Sequence, residues 1–441
     1  MKLRNLFLAG IAAFAMASCS NEVEGVDNGG NDNTEKGAVM QFLFSYGNDN
    51  ATGPRAYSEG AGLDSEQKFE KALLIGVYTD GATNAFVKTI NRSEFAPVSS
   101  ETDPASDGKY YQSAPFNVTA GTINAYVILN PTAAMSSNLT TAYNDKAATV
   151  DQVETALKAL QVAAVNDASI SDKFIMYGAK SNTELENKKT TAVTVAVNRI
   201  VAKMKEETAS NKLVYTNITK GDTGKDLSKA VTITLNGYAF TNLTDKSNLV
   251  YQSDNKVTSF ISESIFDGVT DKSYTYKAMG TVADDKQIDY CFENENTVGA
   301  AAGSNITSII YRATITAEGV NDTELTKGAN VYIYNNIVYS YSQLKEAFQG
   351  LLLKDEPAIA AYDELGIRQY VAGQCYYRQP ISTVTGTTRS NIIKRNNLYK
   401  LSVSTVNKIG FPTTIPTTDP TMMLLNLVIM PWTVNDNAFS L

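Results

Sequence analysis

The sequence predicts an all-β protein with two tandem β-sandwich domains and a few short packing helices. Its 24 tyrosines, with frequent threonine and valine, favour strands. Short apolar runs that alternate with polar residues recur along the chain, while helical heptad patterning is scarce. A chain of 441 residues has room for two or three domains, and two fit the pattern.

The first residues have the layout of a secretory signal. Lys2 and Arg4 precede an apolar run over residues 6–17, which ends in small residues before Cys19. This run is too short for a stable membrane span. We therefore interpret residues 1–18 as a signal peptide.

A spacer and then an amphipathic strand follow. Residues 19–37 are rich in Gly, Asn and acidic side chains, which predicts a flexible tether because little apolar surface can be buried. Residues 38–46 alternate between apolar and polar, which predicts a half-buried strand. Its apolar face consists of Met40, Phe42, Phe44 and Tyr46.

Loop composition over residues 47–56 contains a single basic residue, Arg55, followed by the small Ala56. An exposed protease site would lie at this position. Arg55 could equally be an ordinary solvated loop residue.

Charge and composition exclude several classes of function. Removing residues 1–18 takes away Lys2 and Arg4, which changes the formal net charge from −8 to −10. This acidity argues against nucleic acid or anionic lipid as the main partner. The sequence has no histidine, so Ser-His-Asp, Cys-His and histidine-ligated zinc sites are excluded. No cofactor and no metal site are expected.

Two cysteines, Cys291 and Cys375, remain if Cys19 carries lipid. Export makes a disulfide between them chemically feasible. Two small buried hydrophobic residues are the commoner outcome.

In the first half, the patterns predict one helix among several strands. The helix covers residues 150–160, with Asp151 satisfying amides of its first turn and a stripe formed by Val153, Ala156, Leu157 and Leu160. The predicted strands cover residues 73–78, 121–130, 174–178 and 192–203. A polar stretch over 205–228 marks a boundary between an N-terminal domain (56–204) and a C-terminal domain (205–441).

In the second half, a strand begins at residue 230 and residues 331–339 predict a hairpin that turns at Asn335 and Asn336. The alternating tyrosines of this hairpin indicate half-buried packing or a sugar-stacking platform. A helix is predicted over 342–353 with Ser342 as its cap. Gly221–Asp226 lacks the spacing of a phosphate-binding loop.

Several of these stretches occur in an order that resembles the Bacteroidales-type fimbrillin family, the lipoprotein precursors of type V pilus subunits. Met16-Ala-Ser-Cys19 resembles a relaxed bacterial lipobox, and Asn198–Lys203 is similar to the family pattern "xRxVAKv". The C-terminal part is similar to "CYYrxPI…vxRNhxYkLxitsIxgiG…vxvxvxpW". The residues that match this pattern are Gly373–Ile381, Ile393–Val403, Ile409-Gly410 and Leu425–Trp432.

The resemblance implies transthyretin-like Greek-key sandwiches, a palmitate-bearing lipid on Cys19, and an outer-membrane precursor. It also implies that an arginine-specific protease cuts between Arg55 and Ala56, so that residues 38–55 form a cleavable segment. Loss of the first strand would expose a sheet edge, which a neighbour's tail (about 431–441) would fill. The matching tail residues are Trp432, Val434, Phe439 and Leu441.

The predicted function is therefore that of a non-enzymatic structural fimbrial subunit. It would form a head-to-tail homopolymer in an extracellular fimbrium, support adhesion and biofilm formation, and meet a host or bacterial surface receptor. An anchor or accessory subunit, which would keep its first strand and lipid, is one alternative. A surface glycan-binding lipoprotein is another, while a hydrolase is disfavoured because no converging acid pair is visible.

Overall fold

Strands dominate the computed structural model. The structure describes residues 37–46, 66, 68–98, 110–163, 174–252, 259–266, 273–280, 288–295, 305–317, 328–348, 365–385, 388–414, 416, 419 and 421–431. Within these ranges lie 26 strands and three α-helices, so the predicted all-β class is confirmed. None of the helices in the described part of the chain is long and apolar enough to cross a membrane.

The described part of the first half of the chain contains twelve strands. They are β1 (Gly37–Tyr46), β2 (Lys71–Tyr78), β3 (Asn84–Asn91), β4 (Phe95–Val98), β5 (Tyr110–Ser113), β6 (Phe116–Thr119), β7 (Gly121–Leu129), β8 (Lys146–Ala147), β9 (Gln161–Ala163), β10 (Met176–Leu185), β11 (Thr190–Arg199) and β12 (Val201–Glu206). All of them except β9 and β12 belong to the N-terminal sheet.

The remaining strands belong to the second half. They are β13 (Val214–Lys220), β14 (Asp226–Thr241), β15 (Lys246–Asn248), β16 (Lys277–Ala278), β17 (Ile288–Phe292), β18 (Ser308–Ala317), β19 (Val331–Tyr334), β20 (Ile337–Tyr339), β21 (Arg368–Tyr370), β22 (Gln374–Pro380), β23 (Thr383–Thr385), β24 (Thr388–Ser390), β25 (Asn397–Val406) and β26 (Met423–Pro431).

Two main hydrophobic cores organise these strands. The first contains buried residues up to Val201, joined by Leu249, Phe292 and Leu398, and the second starts at Ala202. Both cores belong to one compact unit that begins at Gly37. The predicted division into domains at residues 204 and 205 stays a prediction.

The N-terminal sheet has the strand order β4-β5-β1-β11-β10-β7-β2-β3-β8, with β6 pairing beside β1. Strand β2, which lies between β7 and β3, has seven buried residues out of eight, because both of its faces are covered. Strands β10 and β11 pair in antiparallel fashion over a short stretch, Met176 with Arg199 and Tyr177 with Asn198. A Cβ atom on Gly178 would lie 2.1 Å from the Ala196 carbonyl oxygen, so glycine permits this close approach.

Two helices pack in this half. Helix α1 (Ala133–Tyr143) was not predicted; it begins after Thr132, whose hydroxyl accepts from the Met135 amide at 3.2 Å. Helix α2 (Val150–Ala159) matches the predicted helix, but its cap is Thr149 rather than Asp151. The Thr149 hydroxyl accepts a hydrogen bond from the Gln152 amide, and the Gln152 side-chain carbonyl accepts one from the Thr149 amide. Together these two bonds form a capping box.

The strand predicted over 192–203 is in fact two strands, β11 and β12, which lie in different sheets. The regular strand is interrupted at Ile200, whose amide donates to the Ile175 carbonyl. After this interruption, β12 pairs in parallel with β25. Because both strands are apolar and no Gly or Pro separates them, the sequence carries no signal for this break.

The second core lies between two sheets, β17-β12-β25-β26 and β13-β14-β18-β22, with β16 added beside β14. Met204 and Leu401 from the first sheet are buried with Ile233 and Tyr311 from the second. The predicted polar boundary at 205–228 therefore contains β13 and the start of β14, which form a hairpin.

The predicted hairpin at 331–339 is observed as β19 and β20. Asn335 and Asn336 have φ values of 46° and 63°, which the primed hairpin turns require. Helix α3 (Tyr341–Ala347) follows, and its cap is Ser340 rather than Ser342. Tyr332 is fully buried and the Tyr334 ring packs against Phe348 at 4.8 Å, so these side chains serve packing.

Cys291 and Cys375 are free and buried. The Cys291 sulfur lies 3.8 Å from the Met204 sulfur, and the Cys375 thiol lies 3.8 Å from the Tyr377 hydroxyl. The open alternative from the sequence is thereby resolved in favour of two small buried side chains.

Arg395 and Asn396, from the motif at 393–403, connect the two cores. Arg395 donates to Glu293 Oε2 at 2.6 Å and to the Leu249 carbonyl at 2.8 Å. Asn396 Nδ2 donates to Asn198 Oδ1 at 2.9 Å, beside the end of β11. The motif therefore holds the two cores against each other.

Candidate functional site

The candidate site is the position that β1 occupies in the N-terminal sheet. On one side, β1 runs parallel to β11, with Val39–Tyr46 in register with Thr190–Val197. On the other side, it runs antiparallel to β6 near its start and to β5 near its end. β1 is therefore an interior strand, and its removal would leave a slot with an exposed sheet edge on each side.

The inner face of β1 is buried. Met40, Phe42 and Phe44 are each 0% exposed, and the opposite face carries half-buried side chains. Tyr46 belongs to β1, but its side chain lies outside the described residues. The alternation follows directly from the two-residue period of a strand.

Aromatic rings line the slot around Phe44. Its ring packs edge-on against Phe69 at 4.9 Å and Phe95 at 5.4 Å, and it stacks with Tyr111 at 5.2 Å. Such pairs contribute about 0.5–1.5 kcal/mol each beyond the burial of area. The Phe44 ring is therefore packed against three aromatic rings from neighbouring segments.

Arg92 closes the outside of this aromatic cluster. Its guanidinium lies 4.8 Å from the Tyr111 ring centroid and 5.1 Å from that of Phe69. Burial raises the pKa of the Tyr111 hydroxyl, and the charge of Arg92 partly offsets this effect. The cluster thus combines an apolar interior with one cation at its rim.

Ser113 fills a gap in the hydrogen-bond ladder of β1. The neighbouring chain passes from β5 to β6 through Ala114 and Pro115, so regular pairing is interrupted opposite Gln41 and Phe42. The buried Ser113 hydroxyl accepts from the Phe42 amide at 3.0 Å, and its carbonyl accepts from Gln41 Nε2 at 3.2 Å. Ser113 therefore satisfies the β1 amide that the interrupted pairing would leave without an acceptor.

The C-terminal region ends on a different kind of strand. β26 is the terminal strand of its sheet and pairs with β25. Its side chains Leu424 and Val428 are 53% and 50% exposed. The chain continues from this edge strand into the predicted tail.

All of the residues predicted for lipidation, processing and strand donation lie outside the described residues. These are Cys19, Arg55, Ala56, Trp432, Val434, Phe439 and Leu441.

Sequence reasoning missed Phe69, Phe95, Arg92 and Ser113. Phe69 and Phe95 are single aromatic residues within polar surroundings, so periodicity carries no signal for them. Within the described ranges, no group of three or more acidic or cysteine side chains is placed to hold a metal ion.

No family model matches the chain, and no curated protein matches it. Solved structures do match. A candidate cell adhesion protein from Parabacteroides distasonis has a TM-score of 0.50 at 12% identity, covering 90% of this chain and 100% of that one.

Two further solved structures are similar. A second candidate cell adhesion protein from Parabacteroides distasonis has a TM-score of 0.49 at 11% identity, covering 91% of this chain and 98% of that one. A fimbrilin from Porphyromonas gingivalis has a TM-score of 0.47 at 14% identity, covering 91% and 99%. The chain thus has the fold of the first of these cell adhesion candidates.

Proposed function

We propose that this chain is a structural fimbrial subunit, exported as a lipoprotein precursor and polymerised by strand exchange after proteolysis at Arg55. The observation that carries the proposal is the interior position of β1, the first described strand, between β11 and the β5 and β6 pair. The fold shared with a candidate cell adhesion protein supports a role in adhesion and biofilm formation.

Cleavage between Arg55 and Ala56 would break the covalent connection between β1 and β2. From then on, β1 would be held by noncovalent contacts alone. Its fully buried Met40, Phe42 and Phe44 contribute about 5–9 kcal/mol of apolar burial, at 1.5–3 kcal/mol for each large side chain. An incoming strand that replaces β1 would regain this burial.

The slot recognises backbone as well as side chains. Without β1, the edge of β11 over residues 190–197 and the facing edges of β5 and β6 would carry unpaired amides and carbonyls. An extended segment of another subunit satisfies both edges at once. Because donor and acceptor are different parts of the chain, the contact is head-to-tail and propagates as a fibre.

The tail after Pro431 is the proposed donor, and its sequence limits how it can fit. In a regular strand, Trp432 and Val434 share one face, while Phe439 and Leu441 share the other. One pair therefore enters the slot, or a bulge lies between the pairs.

Lipid on Cys19 would hold the precursor at the outer membrane through the tether. Cleavage would separate the lipidated segment from the subunit and allow its transfer to an extracellular fimbrium. An anchor or accessory subunit would instead keep β1 and the lipid, so retention of residues 19–55 in the assembled protein would favour that alternative.

N-terminal sequencing of protein sheared from the cell surface tests the cleavage. We expect the sequence to start at Ala56, and the Arg55→Ala variant to remain uncleaved and monomeric. Lys36→Ala, a basic-to-small change before β1, is the matched control and should be processed and assembled normally. Surface fibres built from subunits that retain residues 37–46 would contradict the proposal.

Deletion of residues 432–441 tests the donor tail. We expect the truncated chain to be cleaved normally but to remain monomeric in size-exclusion chromatography. The double variants Trp432→Asp/Val434→Asp and Phe439→Asp/Leu441→Asp then show which face of the tail enters the slot. Normal assembly of the truncated chain would refute tail donation.

A further inference from the structure

The chain segment immediately before β2 forms one wall of the slot independently of β1. This segment, here called the strap, consists of Glu66 and residues 68–70. Phe69 of the strap packs against Phe44 of β1, and also against Phe95 and Tyr111 at centroid distances of 5.4 and 5.0 Å. The proposed cleavage at Arg55 would leave the strap near the new N-terminus of the subunit.

A buried ion pair anchors the start of the strap. The Glu66 carboxylate is 0% exposed and lies 2.8 Å from Lys203 Nζ on β12, while the Tyr290 hydroxyl on β17 also donates to it. Arg199 Nε donates to the Glu66 carbonyl at 3.3 Å. Breaking a buried pair of this kind is strongly destabilising, because the remaining charge stays in a low-dielectric interior.

Asn130 and the backbone of Arg92 hold the other end of the strap. Asn130 Oδ1 accepts from the Glu70 amide at 2.9 Å, and its Nδ2 donates to the Lys68 carbonyl at 3.1 Å. The Arg92 amide donates to the Glu70 carbonyl at 2.7 Å. These bonds join the strap to elements other than β1.

We infer that Glu66 and Asn130 are positioning residues that keep Phe69 in place after β1 leaves, so that the slot is preformed for the incoming strand. The inference rests on the proposed function. A preformed wall strengthens binding, because an acceptor that is competent only part of the time binds with proportionally lower apparent affinity. The ion pair between Glu66 and Lys203 of β12, a strand of another sheet, would thereby influence capture of a strand at the slot.

The full-length protein is cleaved at Arg55 by an arginine-specific protease, and the N-terminal piece is removed. The test then uses the remaining subunit, which begins at Ala56. The probe is a synthetic peptide with the sequence of Gly37–Tyr46, and its dissociation constant is measured for wild type, Glu66→Gln and Asn130→Gly. The glycine keeps the positive φ of Asn130 (52°) while removing its side-chain bonds. We expect both variants to bind the peptide about tenfold more weakly, as for a strap in place about a tenth of the time.

Two matched controls separate the strap from general effects of the substitutions. Asp226→Asn removes an exposed carboxylate paired with Lys220 at 2.8 Å, and Asn217→Gly removes an exposed side chain at φ 57°. Both lie in the β13–β14 hairpin and should leave peptide affinity unchanged.

Each outcome decides a different point. If cleaved wild type takes up neither the peptide nor another subunit, the proposed function fails. If wild type binds the peptide and Asn130→Gly binds it equally well, the inference about the strap fails. Thermal unfolding of the uncleaved variants shows whether they fold; should Glu66→Gln not fold, Asn130→Gly alone decides.

Discussion

β1 and β26 stand at opposite ends of the described chain, and the fold holds them in opposite ways. β1 is paired on both sides and its inner side chains are fully buried, whereas β26 ends its sheet and exposes Leu424 and Val428 by about half. Losing an interior strand opens a slot that only another strand fills, while an edge strand already meets solvent. This difference is the basis for the proposed acceptor in the first half and the proposed donor beyond the second.

The largest expected difference between these strands concerns their side chains. Phe44→Ala in the uncleaved chain should lower the free energy of unfolding by about 3–5 kcal/mol, because the aromatic cluster around Phe44 loses its central ring. Val428→Ala should change it by less than about 0.5 kcal/mol. Urea unfolding measures both, and similar losses would refute the distinction.

The hydrogen bond from the Phe42 amide to the Ser113 hydroxyl allows the backbone contribution of β1 to be tested separately. Ser113→Ala should cost about 1–3 kcal/mol in the same assay, because the buried Phe42 amide loses its acceptor. Ser402→Ala, at a half-buried position on β25, is the control and should be close to neutral. An unchanged unfolding midpoint for Ser113→Ala would show that the ladder gap is satisfied in another way.

Glu206, the last residue of β12, should make the stability of the folded chain depend on pH. Burial raises the pKa of its carboxyl, although bonds from Thr208 and Tyr311 partly oppose this shift. The protonated form is thus favoured in the folded state. The contribution of protonated Glu206 to stability is therefore complete below the pKa that this carboxyl has in the unfolded chain. The contribution is lost as pH rises through the higher pKa of the folded state.

Glu206→Gln should therefore gain stability relative to wild type as pH rises, on the order of 1 kcal/mol per pH unit within that window. Urea unfolding between pH 4 and pH 8 measures the difference. A constant difference across this range would contradict the raised pKa. Asp226→Asn, at an exposed carboxylate, supplies the matched control.

The smallest expected effect lies in the β19–β20 turn, away from both strands. Asn336→Ala should cost about 1 kcal/mol because its φ of 63° is unfavourable for alanine, while Asn336→Gly should not. Thermal unfolding of the two variants provides the check. Equal stabilities would show that the turn does not require the left-handed conformation.

Local patterns in the sequence predicted many of the elements. The alternation over residues 38–46 predicted β1 and the burial of Met40, Phe42 and Phe44, because the side-chain period of a strand is two. Asn335 and Asn336 marked the hairpin for a similarly local reason. Cap residues were placed less accurately, since Thr149 and Ser340 act where Asp151 and Ser342 were predicted.

By itself, the sequence determined the all-β class, the amphipathic first strand and the absence of histidine chemistry. Only the tertiary structure decided that β1 is an interior strand, that residues 192–203 divide between two sheets, and that Glu66 reaches Lys203 across 137 positions. Strand alternation specifies which side chains are buried but not which distant strand supplies the hydrogen bonds. Partner choice depends on how the whole chain packs.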